Sequence, residues 1–160
     1  MEQPTIAIIG GTGKAGKYLT KQLLAQGIPF KILLRHPEDF MLQSPLMEIV
    51  KGDVRDWEAV RTLVKGCQAV VSTLGQTKGE ATPIYTQATR HVLQAMRENH
   101  IRRYILVTGL SLDTPDDKKS EPTQQKTAWM KANFPTFVAK RLGVDVWWTG
   151  CDADGSWGRV

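Results

Sequence analysis

Four glycines crowd into residues 10–16, GGTGKAG, and their spacing is the first sign of chemistry in the chain. Gly10, Gly13 and Gly16 form a G-x-x-G-x-x-G pattern, a variant of the fingerprint with which a backbone cradles a pyrophosphate. Gly10 lets the chain turn sharply out of a strand. Gly13 removes a side chain where a phosphate must come close, and Gly16 lets the following helix pack tightly. A helix starting at Lys14 then turns free N–H groups and the positive end of its dipole toward the same place. Gly10, Gly11, Thr12, Gly13, Lys14, Ala15 and Gly16 are therefore candidates for holding a dinucleotide. The alternative is a glycine-rich turn without a ligand, which requires neither a buried strand before it nor an amphipathic helix after it.

Arg35 is the most informative residue outside that loop. A site for NAD places Asp or Glu at the end of the second strand to bind the ribose 2′-hydroxyl. An NADP site uses Arg nearby, because a carboxylate repels the 2′-phosphate. Here Arg35 is followed by His36, with no acid before Glu38, so NADP is the expected cofactor and NAD the less favoured one. A guanidinium can grip the phosphate with two donors. An arginine merely exposed after a strand is the other reading. Two hydroxyls, Thr108 and Ser111, follow the fifth expected strand. They are candidates for facing a substrate beside the nicotinamide, or for bonding locally in a turn. No metal site is indicated, since Cys67 and Cys151 lie far apart and form no C-x-x-C.

The elements that must position these residues are legible along the chain. Residues 5–9 are β-branched or small and apolar, as in a strand buried on both faces. Ala15, Tyr18, Leu19, Leu23 and Leu24 recur at helical spacing over residues 14–26, with Gly27 to end the helix. Residues 30–34 form a second strand, completing a unit the size of one parallel crossover. Residues 46–51 form a third, closed by Gly52, Asp53 and Val54. A small acid at this point of such a fold sits near an adenine ring, so Asp53 and Val54 are cofactor candidates, although Asp53 reads equally as a turn residue. Asp56 caps a helix that Gly66 ends.

Residues 68–74 form a fourth strand. The glycine after it lets a ribose or pyrophosphate approach, which makes Thr73, Leu74 and Gly75 candidates. Pro83 opens a helix whose expected buried stripe is Ile84, Ala88, Val92, Leu93 and Met96. On that helix His91 reads as a surface or half-buried residue, and His100 complements the dipole at its end. Residues 104–108 form a fifth strand, 113–122 a charged, proline-punctuated mobile loop or lid, and 123–140 a helix that Pro135 should interrupt. A sixth strand is expected over 144–148. The expected fold is α/β, a doubly wound parallel sheet in the order 3-2-1-4-5. It forms one NAD(P)-binding domain over 1–160, with 113–160 as lid and partial substrate side.

Composition narrows the classes. The chain has 160 residues, 41% hydrophobic and 23% charged, which suits one globular domain with a real core. No apolar run approaches the length of a membrane span and no signal-peptide pattern opens the chain, so no membrane partner is expected and a reduced cytoplasmic setting fits. The net charge of +5 invites a nucleic-acid reading. The basic residues are scattered, however, without a run interleaved with aromatics, and no nucleic-acid partner is expected.

Taken together, IAIIGGTGKAGKYL, the LLR ending at Arg35, VKGDV at 50–54, STLG at 72–75 and YILVTGLS at 104–111 resemble the atypical short-chain dehydrogenase/reductases. The branch most similar is the NmrA-like and NAD(P)H-dependent flavin reductase or biliverdin reductase group. The resemblance covers residues 5–115. It implies a Rossmann domain with NADP at Gly10, Gly13 and Gly16, Arg35 on the 2′-phosphate, and Thr73 to Gly75 beside ribose and pyrophosphate. It further implies hydride transfer to a flavin or tetrapyrrole, with the hydroxyl of Ser111 near that stack.

Two departures from the family pattern shape the reading. Many members use a Tyr-x-x-x-Lys pair, but Tyr18, Tyr85 and Tyr104 are followed four residues later by Gln22, Thr89 and Thr108. The flavin-reductase branch also lacks that pair, because flavin accepts hydride with little acid–base help. Family members also continue for some tens of residues beyond the position of Val160, which leads us to expect a truncated or frame-shifted end. The expected activity is an NADP(H)-dependent reductase acting on a small aromatic acceptor such as flavin. A non-catalytic NAD(P)-sensing regulator is the rival from another class. A sugar-nucleotide epimerase or dehydratase, which needs the Tyr/Lys pair, ranks below both.

Overall fold

The computed structural model describes residues 4–75, 84–109 and 117–135. The chain divides into two compact units, Met1–Val107 and Thr108–Val160. In the first, β1 (Ile6–Ile9), β2 (Phe30–Leu34), β3 (Met47–Lys51), β4 (Ala69–Ser72) and β5 (Arg103–Leu106) form one sheet in the order β3-β2-β1-β4-β5. Every pairing is parallel. Three helices lie between the strands: α1 (Lys14–Ala25), α2 (Trp57–Val64) and α3 (Ile84–Glu98). The fold is thus the doubly wound α/β sheet that the strand-helix alternation implies.

Side-chain alternation divides the core. Ile8, Ile32 and Val71 stand level across β1, β2 and β4, and with Phe30 and Leu34 they meet Leu23 and Leu19 of α1 on one face. On the other face Ala59 of α2 lies beside Gly52 and Leu33, and α2 packs against α3. A central strand covered on both faces must be apolar throughout, and Ala7, Ile8 and Ile9 are fully buried.

Several boundaries differ from the sequence reading. β4 and β5 end earlier, at Ser72 and Leu106, rather than at 74 and 108. β1 stops at Ile9 opposite Ser72, and Ser72 stands opposite Leu106, so each strand loses its ladder where its neighbour ends. On α3 Leu93 is only half-buried, while Tyr85, Thr89 and Ala95 join the buried face, because α2 packs against the helix and Thr89 bonds the Tyr104 hydroxyl of β5. A short 3₁₀ turn, Pro37–Asp39, occupies part of the link after β2. His100 follows α3 with φ 54°, a left-handed conformation that a side chain adopts at a cost.

The described part of the second unit contains α4 (Glu121–Asn133). It begins before residue 123 because Ser120 stands at the N-cap and Pro122 fits the first turn. It is interrupted at Phe134, where the expected break at Pro135 falls: the residue before the proline is driven out of the helical region, with φ −135°, and Pro135 is helical again. Residues 136–140 lie outside the described residues. The expected sixth strand at 144–148 lies outside the described residues.

Candidate functional site

The site is built where β1 ends. Gly10 has φ +78°, and a Cβ there would lie 2.8 Å from the backbone of Thr73 and Leu74, so only glycine lets the two loops touch. Gly13 N–H donates to Gly10 O at 3.0 Å and closes the turn. Thr73 Oγ1 donates to Gly10 O at 3.0 Å and lies 3.3 Å from Ile9 O, clipping the β4 loop onto the glycine loop. Gly13 is the N-cap of α1; no side chain caps this end and no acid stands in the first turn. The opening N–H groups of α1 are thus left to an external acceptor.

The carboxyl ends of four strands surround a cleft of about 480 Å³. Ile9, Gly10, Thr12, Gly13 and Lys17 line it from the glycine loop and α1, and Leu33, Leu34, Arg35, His36, Asp39 and Phe40 from the end of β2. Gly52, Asp53 and Val54 follow β3, Thr73, Leu74 and Gly75 follow β4, and Ile84 opens α3. Of the residues singled out by sequence, Gly10, Thr12, Gly13, Arg35, Asp53, Val54, Thr73, Leu74 and Gly75 meet here. Gly11, Lys14, Ala15 and Gly16 do not line it. Gly11 faces Ile32, and a Cβ on Gly16 would run into Gly10 O and the backbone of Gly11, so both serve packing. Thr108 is exposed, falls in the second unit and is not among the lining residues. Ser111 lies outside the described residues.

Ile9, Leu33, Leu34, His36, Gly52 and Ile84, placed by sequence only as strand, turn or helix residues, also line the cleft, and Lys17, Asp39 and Phe40 were not singled out at all. Lys17 stands one helical turn beyond Gly13, a spacing that could have found it. Phe40 packs against the core from an irregular link, where no periodicity marks it.

Charge in the cleft is mixed. Arg35 Nη1 stands 4.0 Å from Asp53 Oδ2, both groups partly exposed. Asp53 Oδ1 accepts from Arg55 N–H at 2.8 Å and lies 3.8 Å from Arg55 Nε. Asp53 is therefore a turn residue and a lining residue at once. His36 Nδ1 lies 3.3 Å from Glu38 Oε1. Backbone hydrogen bonding, with help from His36, holds the Glu38 carboxyl below its ordinary range. From behind, His91 Nδ1 donates to Val54 O at 3.1 Å, Gln87 Nε2 donates to Arg55 O at 3.4 Å, and Trp57 meets the His91 ring edge-on. Among the described residues no cluster of His, Cys, Asp or Glu could hold a metal ion, and no helix is long and apolar enough to cross a membrane.

A parallel sheet in this order, with a glycine turn after its central strand and a helix start facing the switch point, defines a dinucleotide-binding Rossmann domain. The chain belongs to the NAD(P)H-binding family, whose profile matches residues 10–143. It is similar to cinnamoyl-CoA reductase 1 of Petunia hybrida, 21% identical over 141 residues that cover 81% of this chain and 42% of that protein. Among solved structures it is similar to ChuY, an anaerobillin reductase from Escherichia coli O157:H7, at TM-score 0.67 and 22% identity over 89% of this chain and 65% of that one. It is likewise similar to a short-chain dehydrogenase/reductase from Veillonella parvula, at TM-score 0.66 and 17% identity over 89% and 62%. The chain spans less than half the length of that plant reductase and under two thirds of these two solved chains.

Proposed function

We propose that the chain is the NADP(H)-binding part of a reductase that passes hydride to a flavin-like or other aromatic acceptor. The observation that carries this reading is Arg35, standing on the cleft wall at the end of β2 where an NAD site would carry a ribose-binding acid. The cleft fits a dinucleotide. A Cβ on Gly13 would meet only Gly10 O at 3.3 Å and Thr73 O at 4.0 Å, so the missing side chain leaves room beside the helix start. The glycine turn at Gly10, Thr12 and Gly13 and the uncapped start of α1 favour phosphate oxygens, and Lys17 adds a positive charge to the cleft lining. Phe40, half-buried on the cleft lining, offers an apolar face to the adenine, and Arg35 grips the 2′-phosphate. When bound, the nicotinamide supplies the hydride.

By their place in the sequence, the hydroxyls of Thr108 and Ser111 remain the candidates for the acceptor side. No tyrosine of the chain is followed four residues later by lysine, which favours an acceptor needing little acid–base help. Two of the similar proteins, ChuY and cinnamoyl-CoA reductase 1, are reductases by name, which supports the class. Titration of protein fluorescence with NADPH and NADH tests the reading. NADPH binds more tightly, and Arg35→Ala weakens NADPH by about 10-fold while leaving NADH within about 2-fold. Failure to bind either dinucleotide refutes it. Steady NADPH oxidation with added flavin supports the reductase. Binding without turnover favours the second reading, a sensing regulator, for which the missing Tyr/Lys pair is the specific observation.

A further inference from the structure

We infer that Asp53 sets the cofactor preference of this cleft by competing with the 2′-phosphate for Arg35. The inference rests on the NADP(H) reading above. The sheet brings the pair together: Leu34 stands opposite Lys51, so the chain leaves β2 and β3 side by side and delivers Arg35 and Asp53 to the same rim. Asp53 Oδ2 lies 4.0 Å from Arg35 Nη1, close enough to neutralise part of its charge.

The carboxylate cannot easily move aside. Its other oxygen accepts the Arg55 N–H at 2.8 Å, and α3 holds the same loop through His91 on Val54 O and Gln87 on Arg55 O. A dianionic 2′-phosphate gripped by Arg35 therefore meets a fixed negative charge. A ribose 2′-hydroxyl meets none of that repulsion and can donate to a carboxylate instead. The contact at 4.0 Å is too long for a hydrogen bond, so it orients Arg35 weakly and repels phosphate more than it prepares the guanidinium. Asp53 thus narrows the preference for NADPH that Arg35 creates.

The test is Asp53→Asn, whose amide oxygen keeps the bond from Arg55 N–H and so preserves the turn. Wild type, Asp53→Asn, Arg35→Ala and the double variant are titrated with NADPH, NADH, 2′,5′-ADP and 5′-AMP, with thermal melts of each. Asp53→Asn binds NADPH and 2′,5′-ADP about 3- to 10-fold more tightly, with NADH and 5′-AMP unchanged or weaker, and the gain disappears in the Arg35→Ala background. An unchanged NADPH/NADH ratio, or an equal loss for both, overturns the competition and leaves the NADP(H) reading standing. Absence of binding by wild type overturns that reading and the inference with it.

Discussion

The last two glycines of the fingerprint, Gly13 and Gly16, should separate folding from binding. Gly16 sits where a Cβ would collide with Gly10 O and lie 2.6 and 2.7 Å from the Cα and carbonyl carbon of Gly11. These are backbone atoms of a turn closed by the Gly13–Gly10 and Thr73–Gly10 hydrogen bonds, and they cannot yield as a side chain would. Overpacking of this kind costs about 1–3 kcal/mol or more, and alanine recovers about 1 kcal/mol through helix propensity at most. Gly16→Ala should therefore lose about 2 kcal/mol and melt about 4–8 °C lower, by the usual scaling for a chain of this size. Gly13→Ala is different. Its φ of −69° suits any residue and its nearest neighbour would be Gly10 O at 3.3 Å, so the cost is the loss of a good N-cap, about 0.5–1 kcal/mol. Its new methyl group stands in the cleft mouth, and NADPH affinity should fall at least about 10-fold, the equivalent of about 1.4 kcal/mol. Calorimetric melts of the free proteins with NADPH titrations of each measure both quantities. A Gly13→Ala protein that melts as low as Gly16→Ala, or that binds NADPH like wild type, would refute the division of labour.

Three further outcomes follow from other parts of the fold. His100→Gly, which relieves the left-handed backbone after α3, should raise stability by about 0.5–1 kcal/mol in urea unfolding, since the cost it removes exceeds glycine's extra unfolded-state freedom. Tyr104 is buried and its hydroxyl bonds with those of Ser72 and Thr89, so Tyr104→Phe should cost about 1–2 kcal/mol by leaving buried hydroxyls without a partner, read by the same unfolding curves. Burial pushes the Cys67 thiol up to about 11. Its contribution is fully present below the thiol's ordinary range and lost as pH rises through that range toward 11. Thermal melts from pH 8 to 10.5 should therefore fall less steeply for Cys67→Ala, after its lower starting stability is subtracted. An equal slope for both proteins would contradict the burial argument.

What the sequence determined by itself was carried by local, periodic signals. The apolar run of residues 6–9, the helical stripe of α1 and the glycine spacing between them require no partner to be read, because each reflects how one segment must face a core or a turn. Arg35 at the end of β2 was legible for the same reason, being placed by its neighbours in the chain. The tertiary structure decided what meets what. Strand ends depend on the neighbouring ladder, so β5 stops at Leu106 because β4 stops at Ser72. Gly11 turns to Ile32 and Gly16 to the Gly10 turn, whereas Lys17, Asp39 and Phe40 come to the cleft without any pattern that names them together. Above all, Arg35 and Asp53 lie 18 positions apart (53 minus 35), and only the pairing of β2 with β3 places their charges 4.0 Å from one another. Periodicity fixes the face a residue presents. Register between strands distant in sequence fixes its neighbour, and the charge of a site is a property of neighbours.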